Sequence, residues 1–273
     1  MSDLLIHSMA EFAPLIGPAL DRAGVRTIAE IGAEFGGMSR FLADYCEGAG
    51  GTLTCIDPEP KPEFTDWVAS AAHVAHVSLP SLEAFGHLSE VDAWVIDGDH
   101  NYYTVYNELL EIDQIAQRDG TPLLAFLHDV GWPCARRDMY YAPDRIPQEH
   151  RHPYSYEDGV HVDTSAVLRD AGFRGRGQFA IAQQLGGPAN GVLTAVEDFL
   201  ARANTAERPL IYAHVPAVFG LGVIMDASAE WAEDLAGIFL PFHENPLVAS
   251  LELNRLRNYL AVIEWQDRTA NGR

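Results

Sequence analysis

Thr27-Ile28-Ala29-Glu30-Ile31-Gly32-Ala33-Glu34-Phe35-Gly36-Gly37 passes from a short apolar run straight into a glycine-rich turn. Met38, Phe41, Leu42 and Tyr45 then recur at helical spacing, so the stretch reads as strand, tight turn, helix. The alternation continues downstream. Thr52–Ile56 is a second strand ended by Asp57-Pro58, a helix spans about Phe64–Ala72, and Ala75–Leu79 is a third strand. Another helix follows Pro80, and Ala93–Ile96 is a fourth strand ended by Asp97-Gly98-Asp99. Tyr102–Gln117 is helical, and Leu123–Leu127 is a fifth strand ended by His128-Asp129. Short apolar strands separated by helices imply right-handed crossovers and a parallel sheet covered on both faces.

From residue 130 to 190 the periodicity stops. Pro133, Pro143, Pro147 and Pro153 and many tyrosines fill this segment, and a stretch this long without periodicity is functional or disordered. A helix resumes at Val192–Ala203, with strands near Leu210–Val215 and Val218–Met225. The tail from Ala227 is helical. Leu253, Leu256, Leu260 and Ile263 make one apolar stripe there, read either as core or as a homodimer contact. At 273 residues a single α/β domain with additions is expected rather than two equal domains.

Composition narrows the function. With 18 Lys+Arg against 39 Asp+Glu, the net charge of −21 argues against nucleic-acid binding and against adsorption to anionic lipid. Three cysteines (Cys46, Cys55, Cys134) without CxxC spacing form neither a disulfide framework nor a zinc site, and Cys46 and Cys55 read as buried small hydrophobes. No run approaches the ~20 apolar residues of a membrane span. The segment around Asp3 does not read as a signal peptide, so a soluble, cytoplasmic protein is expected.

In an open parallel sheet, ligands bind beyond the carboxyl ends of the strands. Those ends carry Glu30-Ile31-Gly32, Asp57, Asp97-Gly98-Asp99-His100 and His128-Asp129. The glycine loop is not a dinucleotide G-x-G-x-x-G, because Glu34 stands where the second glycine belongs, and a carboxylate there repels a pyrophosphate. This disfavours an NAD-dependent oxidoreductase. Glu30, Glu34, Asp57 and Asp97 instead make an anionic mouth suited to a cofactor with positive charge. Asp57, 25 residues after Gly32, sits near the offset of a ribose-binding acid, or is a turn aspartate before Pro58.

Glu-x-Gly-x-x-x-Gly after the first strand, an acid ending the second, and Ile96-Asp97-Gly98-Asp99-His100-x-Tyr102 ending the fourth resemble class I S-adenosylmethionine-dependent methyltransferases. The Asp-Gly-Asp-His stretch is similar to the branch of macrocin-type sugar O-methyltransferases, related to catechol O-methyltransferase. The resemblance covers residues 20–130, and more loosely 190–226. It implies a Rossmann-like α/β fold with a mainly parallel seven-stranded sheet closed by a reversed hairpin. Residues 1–226 would form the cofactor domain, with 130–190 an inserted substrate lid and 227–273 a helical extension. It implies that Glu30, Gly32 and Gly36 surround the methionine part of S-adenosylmethionine, that Asp57 binds its ribose, and that Asp97 lies beside it.

Asp97 and Asp129 match positions that hold Mg²⁺ in metal-dependent relatives, but Val130 replaces the oxygen ligand that often follows. His128 or His100 can complete a softer divalent site, or serve as a general base with Asp129 and no metal. Alternatively, Asp97 and Asp99 only cap the helix near Tyr102. Trp132, Arg136, Arg137 and the pair Tyr140-Tyr141 suit a small acceptor with a carboxylate or phenolic group, or else belong to a flap packed by its own aromatics. The expected function is methyl transfer to an oxygen of a small, natural-product-like acceptor. Nitrogen or carbon acceptors, and a binding protein that keeps the fold without catalysis, stay open.

Overall fold

A computed structural model describes residues 8–270, so the segment around Asp3 and the last residues of the tail lie outside it. A 3₁₀ turn at Met9–Phe12 leads into α1 (Ala13–Ala23). The predicted alternation follows as β1 (Thr27–Ile31), α2 (Gly37–Ala49), β2 (Thr52–Ile56), α3 (Pro62–Val68), β3 (Val74–Val77) and α4 (Ser81–Ala84). Next come β4 (Ala93–Ile96), α5 (Tyr102–Asp119) and β5 (Leu124–Leu127). Five short strands follow: β6 (Met139–Tyr140), β7 (Tyr154–Ser155), β8 (Asp158–His161), β9 (Thr164–Arg169) and β10 (Ala180–Ala182). The chain ends with α6 (Val192–Ala203), β11 (Leu210–Val215), β12 (Leu221–Asp226), α7 (Ala232–Phe239) and α8 (Pro246–Ala270).

The main sheet has seven strands in the order β11-β12-β5-β4-β1-β2-β3. β1 to β5 run parallel, while β12 is antiparallel to both β5 and β11. This is the mainly parallel sheet with a reversed hairpin that the resemblance implied. The strand order switches direction between β1 and β4, which are in register as Glu30↔Val95 and Ile31↔Ile96. Their carboxyl ends therefore open one crevice.

Every residue of β4 and β5 is buried, as central parallel strands require. Trp94, Leu109, Ile112 and Phe199 build the core on one face. Ile16, Leu20, Leu42, Phe126 and Phe239 build it on the other. Each such side chain contributes roughly 1.5–3 kcal/mol on burial. α5 starts at an Asn101 cap whose Oδ1 accepts from the Thr104 amide at 2.9 Å, so neither Asp97 nor Asp99 caps it. All three cysteines are buried and free.

The departures have local causes. α3 starts earlier than expected because Pro62 suits the first helical turn. The helix after Pro80 is a single turn followed by 3₁₀ backbone. β12 begins at Leu221 rather than Val218, because Val218, Phe219 and Gly220 (φ 46°, 64° and 94°) turn left-handed. The aperiodic segment holds a three-stranded sheet, β6-β10-β7, and the hairpin β8-β9. In the helical extension, Leu256 and Leu260 join the core while Leu253 is 37% exposed, so the predicted stripe is largely an internal contact. Among the described residues no helix is long and apolar enough to cross a membrane.

Gly32 is a point of no tolerance. Its φ is +88°, and a Cβ there would lie 2.1 Å from the Asp97 carbonyl oxygen. Gly48, inside α2, has nothing within 4 Å of the same position. Gly32→Ala should lower the unfolding free energy by at least ~2 kcal/mol. Gly48→Ala should raise it by about 0.5–1 kcal/mol. Urea denaturation of the two variants checks the contrast.

Candidate active site

The glycine loop is held from below and from the side. Gly32 N–H donates to the Ile56 carbonyl at 2.9 Å, and Asp97 N–H donates to the Ile31 carbonyl at 2.8 Å. Asp57 Oδ2 accepts the amides of Ala33 and Glu34 at 3.0 and 2.9 Å, and its Oδ1 accepts the Glu59 amide at 2.8 Å. Those bonds fix the turn in which Glu34 takes a left-handed φ of 43° and Gly36 one of 80°. Glu30 lies beneath the loop, fully buried, where Ser39 Oγ and Cys55 Sγ donate to its Oε2 at 2.6 and 3.0 Å. Burial raises the Glu30 carboxyl to about 7 against the pull of those two donors.

Across the crevice, the ends of β4 and β5 bring four polar side chains together. His128 Nε2 donates to the Val218 carbonyl at 2.8 Å, which turns Nδ1 toward two carboxylates. That Nδ1 lies 3.0 Å from Asp97 Oδ1 and 3.2 Å from Asp129 Oδ2. His100 Nε2 faces the same two oxygens, at 3.5 and 3.3 Å. Neither ring nitrogen of His100 has a hydrogen-bond partner of good geometry, although both are buried. Cys134 Sγ, with His100 and Asp129, forms a second set of ligand atoms within 4.8 Å of one another. Asp129 takes a left-handed φ of 61°, a strained conformation held by the site around it. Asp97 is the most open of the four, its side chain 26% exposed against 12% for His100, 4% for Asp129 and 1% for His128.

The charges respond to one another. Burial opposes the imidazolium of His100, but Asp129 and Asp97 outweigh it and raise its pKa to about 9. The same balance places His128 well above its ordinary range. Burial would raise Asp97, yet His128 and His100 hold it below the usual carboxylate range, and Asp129 is lowered in the same way.

The remaining sequence candidates scatter. Tyr140 is fully buried, its hydroxyl donating to Asp138 Oδ2 at 2.8 Å and accepting the His152 amide at 3.0 Å. Tyr141, its neighbour, is the ring beside His100, with centroids 5.6 Å apart and 48% exposure. Trp132 packs edge-on between Phe173 and Phe219. Arg136 leaves the crevice to pair with Glu197 on α6. Arg137 is buried and donates to the carbonyls of Ala182, Gln183 and Ser165, lining with Trp132 a separate cavity of about 280 Å³. The site also contains groups the sequence reading did not assign to it: Cys134, the Val218 carbonyl, and Phe12, whose ring stands 6.1 Å from His128.

Residues 29–130 match a family model described as a methyltransferase domain. No curated protein matches the chain. Among solved structures, the chain is similar to one named as a caffeoyl-CoA O-methyltransferase from Staphylococcus aureus. That match has 13% identity and a TM-score of 0.47, and covers 79% of this chain and 83% of the other. A structure named as an O-methyltransferase from Klebsiella pneumoniae matches at 13% identity and TM-score 0.46, covering 83% of each chain. The SAH-bound methyltransferase PaMTH1 of Podospora anserina matches at 14% identity and TM-score 0.44, covering 80% of this chain and 78% of that one.

The raised histidine ties stability to pH. With a folded pKa of about 9 against 6.5 unfolded, the His100 contribution is fully present below 6.5 and lost as pH rises through about 9. Urea unfolding in the presence of chelator should therefore show a loss on the order of 1–3 kcal/mol between pH 6.5 and 9.5. The loss should shrink in His100→Gln. An unchanged pH dependence in that variant would contradict the charge assignment.

Proposed function

We propose that this chain, whose residues 29–130 match a methyltransferase-domain family model, transfers a methyl group from S-adenosylmethionine to an oxygen of a small-molecule acceptor with the help of a divalent cation. The observation that carries this reading is the convergence of Asp97 Oδ1, Asp129 Oδ2, His128 Nδ1 and His100 Nε2, with carboxylate-to-imidazole distances of 3.0–3.5 Å. Ligand–metal bonds of about 2.0–2.2 Å give ligand–ligand edges of roughly 3.0 Å at right angles and 3.5 Å at the tetrahedral angle. Two imidazoles beside two carboxylates suit Mn²⁺, Fe²⁺, Co²⁺ or Zn²⁺ better than Mg²⁺, which prefers an all-oxygen shell. The His128 Nε2–H bond to Val218 is the outer contact that fixes a ligating ring.

The cofactor side of the crevice supports the same reading. Gly32 and Gly36 bring the loop backbone close to the methionine part, and Glu30 positions that loop from beneath through Ser39 and Cys55. Asp57 carries the ribose contact, since each carboxylate oxygen has more than one acceptor position and a hydroxyl can add to the amides already bound. Glu34, Asp57 and Asp97 give the mouth its negative charge, which complements the sulfonium and ammonium of S-adenosylmethionine. Residues 130–190 form the wall toward the acceptor, with Tyr141 the ring nearest the reacting oxygen.

When bound, the cation lowers the pKa of an acceptor hydroxyl, as it does that of water. The protein aligns the acceptor in line with the sulfur–methyl bond and excludes water. A metal-free histidine base is the weaker reading, because Asp97 and Asp129 keep both rings protonated near neutral pH.

Metal analysis and calorimetry with Mn²⁺ test the site directly. One ion per chain is expected, and Asp129→Asn should weaken its binding by at least 10–100-fold, the loss seen even for outer partners. Chelation should abolish S-adenosylmethionine turnover with a phenolic or sugar acceptor, and added ion should restore it. Turnover in a protein shown by mass spectrometry to be metal-free would remove the cation from the mechanism.

The adjacent tyrosines separate acceptor contact from structure. Tyr141→Ala should raise the acceptor KM about 3–10-fold, as expected for one lost aromatic contact, and leave cofactor affinity unchanged. Tyr140→Phe should leave both constants unchanged and lower the unfolding free energy by ~1–2 kcal/mol. The reverse pattern would place the acceptor elsewhere.

A further inference from the structure

α8 is apolar on two opposite faces. One face, through Leu256 and Leu260, closes the core. The other is exposed along its length: Leu247 67%, Leu251 62%, Val262 52% and Trp265 61%. At 3.6 residues per turn, these residues with Ser250, Asn254, Asn258 and Ala261 fall in one stripe of about 120° and ~27 Å long. All eight are exposed, and none is charged, on a chain of net charge −21.

The stripe is also symmetric about position 256. Leu247 and Trp265 stand nine residues to either side, Ser250 and Ala261 six and five, Leu251 and Val262 five and six, and Asn254 and Asn258 two and two. Members of each pair also lie on the same side of the stripe's midline or close to it, which is what a two-fold axis normal to an antiparallel helix pair demands. We propose that α8 packs antiparallel against α8 of a second copy, with the two-fold axis beside position 256.

In that arrangement Leu247 meets Trp265 of the partner subunit, and Leu251 meets Val262 of the partner subunit. Ser250 lies against Ala261 of the partner subunit, small against small, so the helices approach closely. Asn254 meets Asn258 of the partner subunit, a polar layer of the kind that fixes register in paired helices. At the margins Arg255 pairs with Glu252 at 2.6 Å and Arg257 with Asp163 at 2.6 Å within the chain. An uncharged strip thus lets two strongly acidic chains meet without bringing their acidic surfaces together. The pairing stands apart from the catalytic reading.

Light scattering at tens of micromolar should give twice the 30.0 kDa of one chain. The double variant Leu251→Glu, Val262→Glu should give the single-chain mass with an unchanged far-UV spectrum, its dimer Kd raised on the order of 100-fold. For register, Leu251→Cys and Val262→Cys chains mixed and oxidised should cross-link, while either alone should not. The native cysteines are buried and do not compete. A wild-type protein of single-chain mass, whether or not it binds lipid vesicles, overturns the proposal. So does a dimer that survives the double substitution, or cross-linking confined to the unmixed variants.

Discussion

The close approach of Gly32 to the Asp97 main chain is the constraint on which the site depends. β1 and β4 are neighbours, and their connections leave in opposite directions. The first turn of the α2 loop must therefore pass over the end of β4 at backbone distance, with the Asp97 carbonyl where a Cβ would be. A side chain at Gly32 would push the loop away from β4. With glycine there, the loop that holds Glu34 and the strand end that holds Asp97 face one another across a narrow crevice. Everything placed between them experiences both sets of charges.

Burial decides how those charges behave. A carboxylate or imidazolium alone in the interior is costly, so such groups neutralise or find partners. Glu30 takes the first course in part, its pKa raised to about 7 under the loop by burial, so that it is neutral below that pH. Asp97 and Asp129 take the second, each facing both imidazoles. The result is a balanced quartet in which a divalent cation and two protons are interchangeable in charge. His128 gains rigidity from Val218, whose carbonyl is available because the left-handed turn before β12 directs it at the ring.

The strands that carry the site were legible because β2, β4 and β5 are short runs ending abruptly at Asp57, Asp97 and His128, and β1 runs straight into Gly32. Glycine marked the turn between β1 and α2 for the same steric reason that makes Gly32 irreplaceable. β6 to β10 were not legible. β6, β7 and β10 have two or three residues and no measurable period, and the longer β8 and β9 form a hairpin whose burial does not alternate, so pairing alone defines them. That is why Tyr140 and Tyr141 could not be told apart: the antiparallel pairing of Tyr140 with Ala180 decides which ring turns inward. Arg137 looked like a substrate cation, but its partners are main-chain carbonyls, which leave no trace in a sequence. Arg136 finds Glu197 from 61 residues away, a contact no local pattern encodes.

What couples the aperiodic segment to the crevice is one buried carboxylate. Asp138 Oδ1 accepts the Tyr102 amide at the start of α5 and the Gly191 amide just before α6, at 2.8 and 2.7 Å. Its Oδ2 accepts the Tyr140 hydroxyl. Two helix starts and the inserted sheet are thus tied to a single side chain, and Met139 adds an amide bond to the His100 carbonyl at 2.9 Å. Because β6 is pinned at both residues, the next residue, Tyr141, has little choice of position and stands over His100. A charge buried this deeply tolerates no loose partner. The segment is therefore not a loop laid across a finished domain: its register is set by the same strand end that supplies Asp97 and His100, so inserted sheet and polar centre are built as one unit.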